Sequence, residues 1–357
     1  MDHLAPFSST FSPNLPELLY KLQISLVIST FQAGKVIFIS PKNEEELIQL
    51  PRTFKSPMGI ALNKEKMAIA TKQEVIVFKE SKSLANTYPK KPDTYDALFV
   101  PRASYFTGRL DLHDLHWGNN KLWAVNTLFS CICNIDGENS FSPVWKPEFI
   151  SELRGEDRCH LNGLAMKDEK PAYATALGSE NGPQSWRNDI FKGGVLMDIQ
   201  NNGLVVEGLA MPHTPRIING KLYLLLSAKE LLIEVDVNRG KYHEVAHIPG
   251  FIRGMAHFGD FLFIATSKLR KNSSTFKNIN ISKDANYASI NILHLPTATI
   301  VARLQYHTSV DEIYDVHVLP GILRPNILNT YDEMHLHNVQ FQDVAYWQVK
   351  EKVTKHG

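Results

Sequence analysis

Side chains capable of acid–base or anion-binding chemistry occupy the same position in short, similar segments spread along the chain. They are His113, Asn162, His213, Arg253 and Tyr314. Two positions earlier in the corresponding segments stand Asp111, His160 and Glu312. Imidazole, carboxylate, guanidinium and phenol groups can transfer protons or bind an anion, and several imidazoles together can hold a transition metal ion.

These residue types predict an enzyme that acts on a small anionic or carbonyl-bearing molecule, with two mechanisms left open. In the first, His113, His160 and His213 bind a divalent metal ion that assists the reaction. In the second, His113 and His213 move protons without a metal, and Tyr314 and Glu312 complete the transfer. Residue types alone do not separate a hydrolase from a lyase.

The remaining predicted site residues have binding roles. Arg253 is expected to hold an anionic substrate, because a fixed cation beside a bound dication would be repelled. Asp111, His160 and Asn162 are expected to contact the ligand. The alternative to an enzyme is a binding or scaffold protein that engages a protein partner and whose polar residues merely face water.

The elements that must position these residues are short strands. Apolar runs of four to eight residues rich in Val, Ile, Leu, Phe and Tyr are separated by Gly, Asn, Asp or Pro, which indicates an all-β fold. Residues 15–22 are an exception and could form a short helix. In most of the repeated segments, the predicted second strand begins seven residues after the fourth residue of the segment. In the segment whose fourth residue is Leu164, this distance is nine residues and the predicted strand begins at Tyr173.

Tight hairpins are expected between the first and second strands of a unit, because Asn119-Asn120, Asn219-Gly220 and Gly259-Asp260 tolerate the backbone of such turns. Third and fourth strands follow in each unit, and four strands make one blade of a β-propeller. Six units predict a six-bladed β-propeller, in which equivalent residues of the innermost strands meet along a central tunnel. The sixth unit lacks later strands and the chain start lacks a first strand, so the two ends are predicted to share one blade.

The predicted organisation has three parts: an N-terminal segment (1–23), a single propeller domain (24–330) and a polar C-terminal tail (331–357). Within the propeller, Trp186 and Arg187 lie in a long segment between strands, where they could cover a ligand or pack between blades. The polar insertion 267–287 lacks apolar anchors and is too long for a hairpin. It is therefore predicted to be a loop that could act as a lid.

Charge and composition narrow the partners. Lys and Arg number 38 against 37 Asp and Glu, so no net positive field favours nucleic acid or an anionic membrane. Residues 1–6 lack a signal-peptide pattern, and no apolar run is long enough to span a membrane. With three cysteines, an odd number, the chain is expected to be cytoplasmic and soluble.

Four motifs carry a family resemblance: Leu-His-Asp-Leu-His-Trp at 112–117, Pro-x-Trp-x-Pro-x-Phe-Ile at 143–150, Glu-Asp-Arg-Cys-His-Leu-Asn-Gly-Leu-Ala at 156–165 and Pro-His-Thr-Pro-Arg at 212–216. Over roughly 24–326 the chain resembles a bacterial family of conserved hypothetical proteins. That resemblance implies no particular activity. More distantly, the blade pattern is similar to the gluconolactonase and paraoxonase group of six-bladed propellers, whose metal sites use acidic and amide residues. Only Asn162 matches that ligand chemistry.

Overall fold

The apolar runs of the sequence form antiparallel strands, which assemble into six sheets of four or five strands in the computed structural model. The structure describes residues 4–269, 275–276, 279–281, 285–342 and 344–348. The six sheets form the six blades of a β-propeller, which confirms the predicted fold. No helix in these ranges is long and apolar enough to cross a membrane.

Blade 1 joins the two ends of the propeller, as predicted. Its innermost strand comes from the C-terminal side and the other three from the N-terminal side, in the order β25 (Asp315–Pro320), β2 (Ile24–Thr30), β3 (Lys35–Pro41) and β4 (Leu47–Thr53). The junction is an antiparallel ladder that runs from Ile24 opposite Pro320 to Ser29 opposite Asp315. This ladder closes the ring by pairing a strand from the C-terminal side of the chain with one from the N-terminal side.

The other blades each take four consecutive strands, from the tunnel outwards. Blades 2 and 3 are β5 (Ile60–Asn63), β6 (Lys66–Ala70), β7 (Glu74–Glu80), β8 (Ala97–Phe106), then β9 (Leu112–Gly118), β10 (Lys121–Asn126), β11 (Cys131–Asn134) and β12 (Ser142–Trp145). Blade 4 is β13 (Leu161–Lys167), β14 (Lys170–Ala176), β15 (Gly194–Asp198) and β16 (Gly203–Leu209). Blades 5 and 6 are β17 (Pro212–Ile218), β18 (Lys221–Leu226), β19 (Leu231–Asp236), β20 (Lys241–His247), then β21 (Phe251–Phe258), β22 (Phe261–Ser267), β23 (Ser289–His294) and β24 (Thr299–Tyr306).

The chain ends add elements outside the ring. Helix α1 (Leu15–Leu22) forms as predicted, and β1 (Ser9–Phe11) extends blade 6 by pairing with β24. Helix α2 (Lys82–Asn86) follows β7, and β26 (Pro325–Ile327) pairs in parallel with β8. In the described part of the predicted tail, β27 (Asn338–Phe341) and β28 (Val344–Trp347) form a hairpin whose Trp347 ring lies 5.6 Å from that of Tyr88. Residues 349–357 lie outside the described residues.

Two-residue hairpins connect the first and second strands, as the sequence predicts at Asn119-Asn120 and Asn219-Gly220. The nine-residue spacing predicted for blade 4 is wrong. Its second strand begins at Lys170, and the turn residues Asp168 and Glu169 both have positive φ, at 50° and 60°. An Asp-Glu pair is an unusual choice for such a turn, so residue type gave no signal for it.

Around the tunnel, two kinds of innermost strand alternate. One kind lies very close to the innermost strand of the next blade, and the other kind hydrogen-bonds to it through a side chain. The residue that decides between the two kinds is the third one of each repeated segment. In blade order these residues are Gly59, Asp114, Gly163, Thr214, Gly254 and Asp315. A Cβ at Gly163 would lie 2.4 Å from Pro215 Cδ of blade 5, so only glycine allows the two strands to approach. The three residues that are not glycine have side chains that hydrogen-bond to the next blade. For example, the Asp114 carboxylate accepts from Leu164 N at 3.1 Å, and the Thr214 hydroxyl donates to the Arg253 carbonyl.

Hydroxyl groups at the ends of the second strands also hydrogen-bond to the neighbouring blade. Ser29 donates to the Met58 carbonyl, and the Thr127 hydroxyl donates to the Leu161 carbonyl. Ser227 Oγ donates to Ile252 O at 2.6 Å, and Ser267 Oγ donates to Ile313 O at 3.0 Å. We call these four contacts the hydroxyl latches, since each joins one blade to the first residues of the next.

A buried ion pair crosses the tunnel from blade 3 to blade 5. Arg216 donates from both terminal nitrogens to Asp114, with NH1 to Oδ2 at 2.9 Å and NH2 to Oδ1 at 3.2 Å. Burial alone would raise the pKa of Asp114, but the charges of Arg216 and His116 outweigh it and hold that pKa well below its usual range. Cavities open at both mouths of the tunnel and share no lining residue among the described ones.

Candidate functional site

The cavity at the mouth where the innermost strands begin, here called the upper cavity, has a volume of about 510 Å³. It is lined by six of the eight residues singled out in the sequence: Asp111, His113, His160, Arg253, Glu312 and Tyr314. These residues come from blades 1, 3, 4 and 6, so the propeller brings together side chains that are up to about 200 positions apart in the sequence.

His113 lies at the centre of this group. Its ring centroid is 4.8 Å from that of His160, 5.4 Å from that of Tyr314 and 6.5 Å from that of His213. Nδ1 lies 2.7 Å from Thr127 Oγ1 and 3.0 Å from the Asp111 carbonyl. Burial, and then the charge of His160, lower the pKa of His113 well below its usual value, so the ring is neutral at neutral pH.

Two of the predicted residues stand back from the cavity. Asn162 does not line it: its Nδ2 donates to the Pro212 carbonyl at 3.0 Å and its Oδ1 accepts from Thr175 at 2.7 Å. Its amide therefore joins blades 4 and 5, and the structure does not bring it to a ligand. His213 lies behind His113, with Nδ1 at 2.8 Å from Thr214 Oγ1, and burial lowers its pKa to about 3.

Tyr314 presents an unused donor. Its side chain is buried, and its hydroxyl has no hydrogen-bond partner within the described part of the chain. Burial raises the pKa of Tyr314 well above its usual value, so the phenol keeps its proton. The guanidinium carbon of Arg253 lies 5.1 Å from the centre of the Tyr314 ring, in a cation–π arrangement.

Arg253, which was expected to hold an anionic substrate, is already paired with a carboxylate. Its NH1 donates to Glu312 Oε1, and both side chains are largely buried. The carboxylate offsets the charge of the guanidinium, so Arg253 together with Glu312 offers an oriented, nearly neutral pair to a ligand. Arg253 Nε is buried without a hydrogen-bond partner among the described residues.

Sequence reasoning missed Asp157, which gives His160 its chemical character. His160 Nδ1 lies 2.9 Å and 3.0 Å from the two carboxylate oxygens of Asp157, and Trp186 Nε1 donates to the same carboxylate at 3.0 Å. A carboxylate only accepts, so the Nδ1 proton is assigned to His160 and Nε2 remains the basic nitrogen. The Asp-x-x-His spacing just before a strand was the available signal.

The residues before the innermost strands adopt left-handed backbone conformations. The φ angles of Ser56, Asp111, His160 and Met211 are 49°, 52°, 51° and 53°. These positions belong to turns, so the strand alternation that predicted a second ring of side chains does not apply to them. Holding an Asp and a His in this region costs roughly 1–3 kcal/mol each, a strain typical of functional sites.

Two excursions from the blades border the upper cavity. In segment 177–193, the Arg187 guanidinium lies 4.2 Å from the centre of the Trp186 ring, whose other neighbour is the His160 ring at 4.3 Å. The second excursion is the insertion 267–287, part of which lies outside the described residues. Contrary to expectation it has apolar anchors, because Phe276 and Ile279 pack with Trp186. Arg187 NH1 donates to Thr275, which joins the two excursions.

The metal site predicted from His113, His160 and His213 does not form in the structure. Among the described residues, no three His, Cys, Asp or Glu side chains are arranged to hold one metal ion. His160 is engaged by Asp157, and His213 lies behind His113 rather than beside it. The oxygen-rich site of the gluconolactonase group has no counterpart here, because the one matching residue, Asn162, is used between blades.

These features define a six-bladed propeller with a polar cavity at one mouth of its tunnel. Residues 13–328 match the family model described as a domain of unknown function, DUF4915, and the chain belongs to that family. This confirms the resemblance to an uncharacterised family that the motifs indicated. No curated protein matches the chain.

Among solved structures, the chain is similar to one described as a nidogen/laminin complex. The two share 9% sequence identity with a TM-score of 0.48, and the alignment covers 84% of this chain and 99% of that chain. The similarity concerns the fold alone.

Proposed function

We propose that the upper cavity is the active site of an enzyme that uses acid–base chemistry on a small carbonyl-bearing anion. The observation that carries this proposal is the pair of Asp157 and His160, packed beneath Trp186 and facing a neutral histidine and an unpartnered phenol. A carboxylate that fixes the tautomer of a histidine is the arrangement by which enzymes orient a general base.

His160 acts as the base in this proposal. Its Nε2 takes a proton from a bound water, a hydroxyl group or a carbon next to the carbonyl, and the resulting imidazolium is stabilised by the Asp157 carboxylate. The same carboxylate also accepts from Trp186, whose ring packs against the imidazole, so both groups hold the base in one orientation.

The negative charge that develops on the substrate oxygen needs donors. Tyr314 can donate because its hydroxyl is protonated and unpartnered among the described residues. Donors placed in a buried site stabilise such a charge more than water does. Arg187 and Lys268 line the same cavity and would attract the anionic end of the substrate.

A panel of small 2-oxo acids and lactones in D₂O tests this proposal by proton NMR. Wild-type protein is expected to speed deuterium incorporation next to the carbonyl, or ring opening, for at least one compound. His160→Gln should lower that rate about 10²- to 10⁴-fold, the usual contribution of a general base. His243→Gln, which changes an exposed histidine on an outer strand, is the matched control and should retain the full rate.

Two outcomes would contradict the proposal. One is a wild-type protein that neither converts any member of the panel nor gives saturation-transfer signals from it, which would favour the scaffold alternative. The other is a His160→Gln variant as active as wild type. Elemental analysis of the purified protein checks the metal mechanism separately, because stoichiometric metal would restore it.

A further inference from the structure

A second cavity lies at the opposite mouth, where the innermost strands end, and is here called the lower cavity. Its volume is about 370 Å³, and most of the residues that line it are apolar. Its polar lining residues are His116, Trp117, Arg216, His257 and His317. All five carry N–H groups, and no Asp or Glu lines this cavity among the described residues.

One of these groups is a buried donor with nothing to donate to, and another is a buried ring nitrogen without a partner. Trp117 Nε1 and His257 Nε2 are inaccessible and have no hydrogen-bond partner in the described ranges. An indole N–H can only donate, so Trp117 requires an acceptor that its own surroundings do not supply. Buried donors are almost always satisfied in proteins, and an unsatisfied one costs free energy.

The nearby carboxylates are already occupied within the propeller. Asp114 accepts from both Arg216 nitrogens and from Leu164 N, as described above. Asp315 accepts from Ile60 N at 2.9 Å and lies 3.1 Å from His317 Nε2. Their oxygens bind groups of the ring wall, and neither residue lines the lower cavity.

We infer that the lower cavity is a binding site for a small oxyanion, such as a phosphate or carboxylate group. A cation is disfavoured, because the lining offers a guanidinium and N–H groups but no side-chain oxygen. A phosphate or carboxylate presents several acceptor oxygens at once, which matches N–H groups that converge from four different blades. The site is separate from the proposed active site and does not rest on it.

Isothermal titration of the full chain with inorganic phosphate, and separately with sodium acetate, tests this inference. Saturable binding of either anion is expected below about 10 mM, and the comparison shows whether phosphate or carboxylate is preferred. Trp117→Phe keeps the ring in place and removes only the donor, so it should weaken binding about tenfold. His257→Leu should weaken it to a similar extent.

Two control variants make the test specific. Trp145→Phe removes an indole N–H that donates to Asn202 on the outside of blade 4, and it should bind the anion as wild type does. His160→Gln, in the upper cavity, should do the same. The inference is overturned if wild type binds neither anion, if Trp117→Phe binds as tightly as wild type, or if His160→Gln weakens binding as much as Trp117→Phe does.

Discussion

The two mouths of the tunnel are built from the same innermost strands, yet they differ in chemistry and in construction. The upper cavity mixes carboxylates, imidazoles and a phenol, and the excursions 177–193 and 267–287 border it. The polar residues of the lower cavity all carry N–H groups and include no carboxylate among the described residues, and two-residue hairpins border it. The comparison teaches that the connections between second and third strands in blades 4 and 6 are long where they border the mixed acid–base site, while the first and second strands at the other mouth are joined by minimal turns.

The largest effect should come from breaking the buried ion pair between Arg216 and Asp114. Arg216→Met leaves the Asp114 carboxylate buried and unpaired, so it should lower the free energy of unfolding by about 3–5 kcal/mol in urea titrations. Lys221→Met breaks an exposed pair with Glu234 and should cost at most about 1 kcal/mol. Equal losses in the two variants would show that the buried pair contributes no more to the free energy of unfolding than the exposed pair does.

Acid should destabilise the protein because it protonates His213, a buried residue that lies behind the upper cavity. Burial lowers the pKa of His213 to about 3, below its unfolded value, so the unfolded chain binds the extra proton first and stability falls as the pH drops below about 6.5. At pH 5 this amounts to about 2 kcal/mol for each such histidine. Urea titrations at pH 5, 6 and 7 should give a shallower pH dependence for His213→Leu than for wild type.

The control for this prediction is His243→Gln, since His243 is exposed on the outside of blade 5. It should keep the pH dependence of wild type. If His213→Leu loses as much stability between pH 7 and pH 5 as wild type does, the acid sensitivity does not arise from His213 and the contrast between the mouths weakens.

The hydroxyl latches should matter less than the carboxylates that join the blades. Ser227→Ala removes one buried hydrogen bond to the Ile252 carbonyl and should cost about 1 kcal/mol, measured by chemical unfolding. Asp315→Ala, which frees Ile60 N and leaves His317 without its carboxylate, should cost more. The opposite order would mean that the hydroxyls carry most of the connection between blades.

The smallest effect on stability is expected for Tyr314→Phe. The hydroxyl of Tyr314 has no partner among the described residues, so its removal should change the free energy of unfolding by less than about 0.5 kcal/mol. The same variant should slow the proposed reaction by roughly 10²-fold, because one oxyanion donor is lost. A large loss of stability with no loss of activity would assign Tyr314 to the frame of the tunnel instead.

The fold could be predicted because its signals are local and repeated. Short apolar runs, Asn-Asn and Asn-Gly turns and complementary chain ends together specify six blades and the shared blade 1. Alternation along a strand also placed His113 and Tyr314 in one cavity. Asp111 and His160 line the same cavity, but they do so from left-handed turn positions that precede the strands and not by strand alternation.

Pairings between distant residues were harder to predict from sequence. Asp157 stood inside a recognised motif, but its role depends on a turn that returns its carboxylate to His160. Arg253 was expected to hold an anionic substrate and Glu312 to transfer protons, because nothing local shows that blades 6 and 1 place the two side chains in contact. The lower cavity was not predicted, although His116, Arg216 and His317 are the last residues of their repeated segments and Trp117 and His257 directly follow theirs. The prediction used only the residues near the beginning of each segment.

The alternation of glycine with a reaching Asp or Thr around the tunnel has a consequence for how such a ring can change in evolution. A blade with glycine at this position leaves space for the next blade, and the next blade, with Asp or Thr there, fills that space. The unit that repeats is therefore a pair of blades. Deleting one blade would place two glycines or two reaching residues side by side, with a gap or a clash between them. Gain or loss of blades in this architecture should therefore proceed by duplication or deletion of whole pairs, giving rings of four or eight rather than five or seven.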